Sequence, residues 1–282
     1  MGSQRRNVIC ASALLVVVGL GAGGCGRSGE VASPADQATT PYAGPLHLAP
    51  AERTNEAERT AGAAGRVVEC TTRVSGRIGR DPYEGGAMSS PDAALEAAAS
   101  EVGYVGHPDD FVRERSDDTR VLYTYRVGAK VTQAMIVAIG PTFDGGKTGW
   151  HAETWARCDL SEFPDAVMDA SSQDRWSDRN GSRVPTYEIS SGPGPEHCDW
   201  QTATFLHLDG RTYIGNAPDS LVPEYVPDTY ARSVPVPADA TDTGYVRDGS
   251  HLWIAADRNA AYVGSEDSAE RWPGTAKEFG CA

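Results

Sequence analysis

Between residues 66 and 165 the apolar positions switch between two periods. After Ser90-Pro91, the stretch DAALEAAASEV sets Ala94, Leu95, Ala98 and Val102 on one face at helical spacing. Ser90 stands where an N-cap belongs, Pro91 at the first helical position and Asp92 in the first turn, so a helix is predicted from Pro91. The period then shortens to two. Val121, Tyr123, Tyr125 and Val127 alternate with Arg120, Thr124 and Arg126, the pattern of a half-buried strand, and Gly128-Ala129 suits a two-residue hairpin turn leading into a partner from Val131 to Ile139. RVVECTTRV, carrying Cys70, and GWHAETWARCD, carrying Cys158, are rich enough in β-forming residues to predict a first and a last strand. The expected unit is one helix packed on an antiparallel sheet of about four or five strands.

From residue 166 onward the pattern is mainly that of short strands and tight turns. Asn180-Gly181 predicts a hairpin; HCDWQTATFLHL leads through Asp209-Gly210 into RTYIGN; HLWIAA, the turn DRN, AAYVGS and SAERWP follow before the terminal FGCA. Prolines between 218 and 237 predict a long surface loop. The fold class is therefore α+β, in two tandem small domains: 66–165 with a helix on an antiparallel sheet, and 166–282 mainly antiparallel β.

The beginning of the chain has a different character. Arg5 and Arg6 precede an apolar run from Val8 to Leu20 and small residues ending at Cys25, the three regions of a signal peptide. The run is shorter than a membrane-spanning helix requires. AGGC resembles the lipobox at which signal peptidase II cuts before a diacylated cysteine, which implies removal of residues 1–24 and palmitate-type acyl chains on Cys25. Export is expected by the general secretory route or, because of the arginine pair, by the twin-arginine route. Residues 25–65, rich in Ala, Pro, Ser, Thr and Gly, offer little apolar surface to offset the entropy of ordering and are expected to be a flexible tether. The expected location is the outer face of the cytoplasmic membrane, held by two or more acyl chains.

Charge narrows the partners. The chain has 25 Lys and Arg against 39 Asp and Glu, a net charge of −14, and cleavage after residue 24 removes two arginines and no acid. With no basic run outside the leader, binding to nucleic acid is excluded on electrostatic grounds. Six cysteines also sort themselves: Cys10 leaves with the leader, Cys25 takes the lipid, and Cys70, Cys158, Cys198 and Cys281 remain in an oxidising space. Four cysteines allow three connectivities, and the spacing favours Cys70 with Cys158 and Cys198 with Cys281, each pair closing its own domain. Widely spaced cysteines do not make a zinc site. The DRNG stretch lacks both anchoring acids of a calcium loop, since Trp176 and Tyr187 stand in their places. No metal or cofactor is expected.

Two stretches carry candidate chemistry. In the strand predicted to end at Cys158, strict alternation sets Ala152, Thr154, Ala156 and Cys158 under the alanine-rich helix. His151, Glu153, Trp155 and Arg157 then share the other face, a candidate ligand surface in which the indole stacks and the charges orient. In EHCDW, strand alternation places His197 and Asp199 on one face as a hydrogen-bonded pair. Cys198 lies on the other with Trp200 packed beside it, so the apparent nucleophile and base point apart.

The lipobox, GAAGRVVEC, ETWARCD, GPEHCDWQ, LWIAADRNAAYV and ERWPGT followed by GCA resemble a group of secreted lipoproteins of actinobacteria, over roughly residues 60–282. The resemblance implies localisation and lineage, and nothing about substrate. Because G-x-S-x-G, H-E-x-x-H, a phosphate-cradling loop and a dinucleotide fingerprint are all missing, no catalytic residues are assigned. The first expectation is a non-catalytic binding or envelope-interaction module whose ligand is an envelope protein or glycan, with Trp150, Trp155, Trp200, Trp253 and Trp272 as stacking candidates. The alternatives are an envelope hydrolase with non-standard motifs and an inhibitor or regulator that docks an envelope enzyme through its Pro-rich loop.

Overall fold

Strand β4 (Lys130–Pro141) is buried over eight consecutive residues, Val131 to Ala138, which an antiparallel strand allows only when both faces of its sheet are covered. The computed structural model describes residues 40–79, 87–101, 105–141, 147–216, 226 and 228–275. The leader, Cys25, the first part of the expected tether, residues 218–225 and 227 of the Pro-rich stretch, and Cys281 lie outside the described residues. The first sheet contains β1 (Val74–Ile78), β2 (Val112–Ser116), β3 (Arg120–Val127), β4 and β5 (Thr148–Cys158), all antiparallel in the order β1-β5-β4-β3-β2. Gly128, at φ +61°, makes the two-residue turn between β3 and β4.

Helix α2 (Pro91–Glu101) covers one face, as the sequence predicts. Ser90 Oγ accepts the Ala93 N–H at 3.1 Å, and Ala94, Leu95 and Ala98 pack on Val121, Tyr123, Met135, Val137 and Ala152. The opposite face is covered by helix α1 (Glu56–Val67), where the sequence predicts a tether and then a strand. That is a correction: residues 46–67 are part of the core. Leu46, Leu48, Ala61, Ala63, Ala64 and Val67 pack on Leu122, Ala134, Ile136 and Ala156. Small residues, which look like a linker, here permit contact at backbone distance. A Cβ on Gly76 would lie 2.6 Å from the Ala61 Cβ, and one on Gly62, held at φ +54° at a kink, would lie 2.9 Å from Thr154 Cγ2. The same correction moves the first strand, because Cys70 lies between α1 and β1, ahead of Val74.

The remaining strands form two sheets that face each other. β6 (Ile189–Pro193), β7 (Thr204–Leu208) and β8 (Arg211–Gly215) make a three-stranded sheet. β9 (Ala231–Val234), β10 (Thr241–Arg247), β11 (Ser250–Ile254), β12 (Ala260–Ser265) and β13 (Ser268–Pro273) make a five-stranded one in the order β10-β11-β12-β13-β9. Ile189, Leu206, Leu208 and Tyr213 meet Leu252, Ile254, Ala261, Val263 and Trp272 between them. Arg247 is clamped at this core: its guanidinium lies 5.2 Å from the Trp176 ring and 5.3 Å from the Trp272 ring, and its Nη1 is 2.5 Å from Asp174. The fold is α+β, with few helices and three antiparallel sheets.

Cys70 and Cys158 are bonded, tying the chain ahead of β1 to the end of β5. Beside this bridge, burial pushes the Glu162 carboxyl up, but the N–H and hydroxyl groups of Thr71 and Thr72 all donate to it and hold it below the ordinary carboxylate value. Glu58 on α1 is buried. Arg66 Nε donates to it at 2.7 Å and Thr54 N at 2.6 Å, which lowers its pKa from 4.5 to about 2.

A folded pKa below the unfolded one means stability that is present above pH 4.5 and lost as the pH falls toward about 2. Glu58→Gln is therefore expected to cost about 2 kcal/mol at pH 7 and to flatten the acid limb of a denaturant-midpoint profile recorded between those values. Replacing both Cys70 and Cys158 by Ala opens a loop with a sequence separation of 88 and is expected to cost about 4–5 kcal/mol in urea titrations.

Candidate functional site

One residue on β5 decides what becomes of the predicted ligand face. In the β4–β5 register Ile136 faces Thr154 while Val137 faces Ala152, so Glu153 is the extra residue of a β-bulge. The bulge reverses the alternation. Ala152 packs beneath α2, whereas Thr154 approaches Gly62 of α1 and Ala156 joins the α1 core. The expectation that Ala152, Thr154 and Ala156 share one face is thereby corrected, and the four opposing residues are separated as well. Glu153 accepts from Arg120 Nε at 2.7 Å and Nη2 at 2.8 Å, with His47 Nδ1 3.4 Å away, beside the segment that carries Leu46 and Leu48. His151 faces Ala138, and its Nδ1 lies 3.2 Å from the Gly149 carbonyl oxygen. Trp155 packs against the α2 cluster, and Arg157 faces Gln133 across the β4–β5 pair. No single surface presents all four.

Arg157 instead lines a cleft of about 610 Å3. One wall is Val105, Gly106 and His107, just ahead of the 3-10 turn Pro108–Asp110; the other is Val167, Ala170 and Gln173, at and after helix α3 (Asp165–Ala170). The chain arrives at α3 through firm anchors. Asp159 accepts from Ser161 N and, across the molecule, from Thr186 N at 2.9 Å and Thr186 Oγ1 at 2.7 Å. Arg183 donates to the Phe163 carbonyl and pairs with Asp165. Arg175 also reaches Asp165 and Asp169, so the acids of α3 are matched by arginines of the β part.

Gln133 stands behind the cleft. It is completely buried in β4, its Oε1 accepts the Val105 N–H at 3.3 Å, and its Nε2 has no hydrogen-bond partner among the described residues. Flipping the amide would set its NH2 against another N–H, so the donor is the unfilled group. An unused donor in a buried amide costs on the order of 1–3 kcal/mol and calls for a physical reason.

The hydroxyl and imidazole of the cleft are already engaged. Ser171 Oγ donates to the Val167 carbonyl at 2.9 Å, closing the end of α3, and His107 Nδ1 accepts the Asp109 N–H at 3.3 Å. When the imidazole is neutral, its proton is then on Nε2, which makes that ring nitrogen a donor. The cleft is lined by the Arg157 side chain, the Gln173 amide and the His107 imidazole against an apolar wall of Val105, Leu160 and Val167. Such a set can hold an acceptor-bearing ligand; it supplies no nucleophile paired with a base. Sequence reading reached Arg157 but not His107, Gln173 or Gln133. The only available signal was Gln133 itself, a lone amide inside the apolar run VTQAMIVAI.

EHCDW is a turn, which corrects the strand expected there. Glu196–Cys198 forms one 3-10 turn and Asp199 closes it at φ +58°, so alternation does not decide where these side chains point, and His197 and Asp199 are not a strand-edge pair. Cys198 is disulfide-bonded; Cys281, its expected partner, lies outside the described residues. Trp200 is buried and stacks on Phe205 at 6.0 Å. Trp272 is also buried, Trp150 and Trp155 pack at the edge of the α2 core, and Trp253 stacks on His251 at 5.6 Å. These indoles pack in four separate apolar clusters. Asp178 and Asp242 cap turns by accepting from Asn180 N and Gly244 N, each at short range. The one grouping of metal-ligating type among the described residues, Cys70, Cys158 and Glu162, has both sulfurs committed to the disulfide.

The left-handed conformation at Asp199 predicts that Asp199→Gly folds with unchanged or slightly higher stability, whereas Asp199→Ala loses about 1 kcal/mol, read from paired thermal melts; equal losses would contradict the turn. Comparisons of the chain with family models, with curated proteins and with solved structures give no match, so the functional reading rests on the geometry above.

Proposed function

We propose that the protein is a lipid-anchored, extracytoplasmic binding module, non-catalytic, whose ligand site is the Arg157 cleft. The observation that carries the binding role is the state of the cleft's reactive groups. Ser171 Oγ and His107 Nδ1 are spent on local backbone bonds, so the residues lining the cleft hold no hydroxyl and imidazole paired for catalysis. The lipid anchor is supported by the basic start, the apolar run from Val8 to Leu20 and AGGC before Cys25. No helix among the described residues is long and apolar enough to cross a membrane.

Anchoring at Cys25 would hold the first described residue, Thr40, within about 50 Å of the membrane surface, since fifteen residues span at most ~3.6 Å each. A ligand presented at the envelope surface, on a protein or a glycan, lies within that reach. The acidic surface suits this position, because it is repelled by anionic headgroups and leaves attachment to the acyl chains.

The anchor is tested in cells fed an alkyne analogue of palmitate. The wild-type chain is expected to incorporate the label and partition into the detergent phase of a Triton X-114 extract. Cys25→Ala is expected to lose the label; a labelled Cys25→Ala chain, or an unlabelled wild type, would remove the lipid-anchor reading.

A further inference from the structure

We propose that Asn180 is a site of spontaneous covalent modification, at which the Gly181 amide nitrogen closes on the Asn180 side chain and releases ammonia, with Asp178 as the clamp that sets the rate. This goes beyond the binding role and does not depend on the Arg157 cleft.

Two turns of the same make allow a comparison. Asp178-Arg179-Asn180-Gly181 and Asp257-Arg258-Asn259-Ala260 begin with the same three residue types. In each the aspartate caps the asparagine. Asp178 Oδ1 accepts Asn180 N at 2.8 Å and Asp257 Oδ1 accepts Asn259 N at 3.0 Å, while the asparagine amides donate to the second carboxylate oxygens at 3.4 Å and 3.1 Å. The fourth residue separates the two turns. Ala260 is buried, opens β12 and faces Pro273 of β13, so the peptide nitrogen that would attack Asn259 is held in a sheet. Gly181 is exposed and bears no Cβ, and the place where a Cβ would stand is empty to 4 Å, so nothing crowds an approach of its nitrogen to the Asn180 amide. Asn180-Gly181 is the only Asn-Gly pair in the chain.

The reaction needs hydroxide and water alone. Hydroxide takes the Gly181 amide proton, the nitrogen bonds to Asn180 Cγ, and the Cγ–Nδ2 bond breaks as Nδ2 takes a proton from water and leaves as ammonia. A second water opens the cyclic imide at either carbonyl, which gives aspartate or isoaspartate at position 180. Asp178 restrains both reacting groups. Its carbonyl oxygen accepts Gly181 N at 3.0 Å, its Oδ1 accepts Ser182 N at 2.8 Å as well as Asn180 N, and its Oδ2 holds the Asn180 amide. The attacking nitrogen thus has its proton committed to a carbonyl, and a carboxylate beside the reacting amide opposes the negative charge that builds during closure. Modification sets a new carboxylate next to Asp178 and to the Arg179–Asp242 ion pair at 2.8 Å, and the isoaspartyl form lengthens the backbone within the span that Asp178 caps.

The test is peptide mapping by mass spectrometry of the folded chain held at mildly alkaline pH, with amide-to-acid conversion and isoaspartate scored at each asparagine. Asn180 is expected to convert at least tenfold faster than Asn259. Asp178→Ala is expected to speed conversion of Asn180 at least threefold and to leave Asn259 unchanged. Asn180→Gln, whose longer side chain closes the ring poorly, is expected to abolish conversion at position 180. Near-UV circular dichroism of Asp178→Ala reports whether the fold is kept; if it is not, Asp178→Asn, which retains an acceptor oxygen without the charge, takes its place with the same direction expected. Equal rates at Asn180 and Asn259 would overturn the site, and unchanged or slower conversion of Asn180 in the folded Asp178 variant would overturn the clamp.

Discussion

A strand that is apolar on both faces needs a cover on each, and β4 imposes this requirement on the molecule. Eight successive buried residues in the middle of a five-stranded sheet cannot be served by the single helix that the periodicity of residues 91–101 announces. The second cover is α1, recruited from a segment whose composition looks like a linker. Its alanines and glycines bury little area each, but they bring the helix to backbone distance of β1 at Gly76 and of β5 at Thr154. Dispersion over many such close contacts replaces the large side chains that the segment lacks. Glu58, buried with Arg66 and Thr54, then fixes the turn by which the chain enters the helix.

The ends of β5 link that sheet to the rest. At Cys158 a disulfide returns the chain to the segment ahead of β1, and Glu162, one turn later, collects four donors from Thr71 and Thr72. Asp159 and Arg183 carry the linkage on to Thr186 and Phe163, so α3 is pinned from both sides. The cleft is what remains between α3 and the α2-side face of the sheet. Its walls come from segments about fifty residues apart in sequence, and each is anchored by interactions that have nothing to do with a ligand. This separation of scaffold and cleft is what the proposed binding role would require.

Much of the architecture could be read from pattern. Ser90-Pro91 marked a helix start, Gly128-Ala129 and Asp209-Gly210 marked hairpins, and the strands at 250–254 and 260–265 followed from alternation. What failed, failed for identifiable reasons. The tether was inferred from apolar area per residue, a measure blind to close approach between small residues. The run from Val131 to Ala138 did hold the missing information, since continuous apolarity is the mark of a strand covered twice. At β5 a single inserted residue, Glu153, moved Trp155 and Arg157 away from His151, and bulges leave no reliable trace in alternation. At EHCDW a left-handed Asp199 turned an apparent strand into a 3-10 turn.

The sequence by itself determined the composition-level properties: an acidic chain, an N-terminal pattern of two arginines, an apolar run and AGGC, a mainly antiparallel α+β class, and the Cys70–Cys158 pairing favoured by spacing. Each follows from local residue types or from counts. Tertiary structure alone decided which face a side chain takes after the bulge, that residues 46–67 belong to the core, and that Arg157 and Gln133 meet behind a cleft built from distant segments. Those outcomes depend on strand register and on the fit between surfaces, and a one-dimensional pattern does not encode the distance between two residues that only folding brings together.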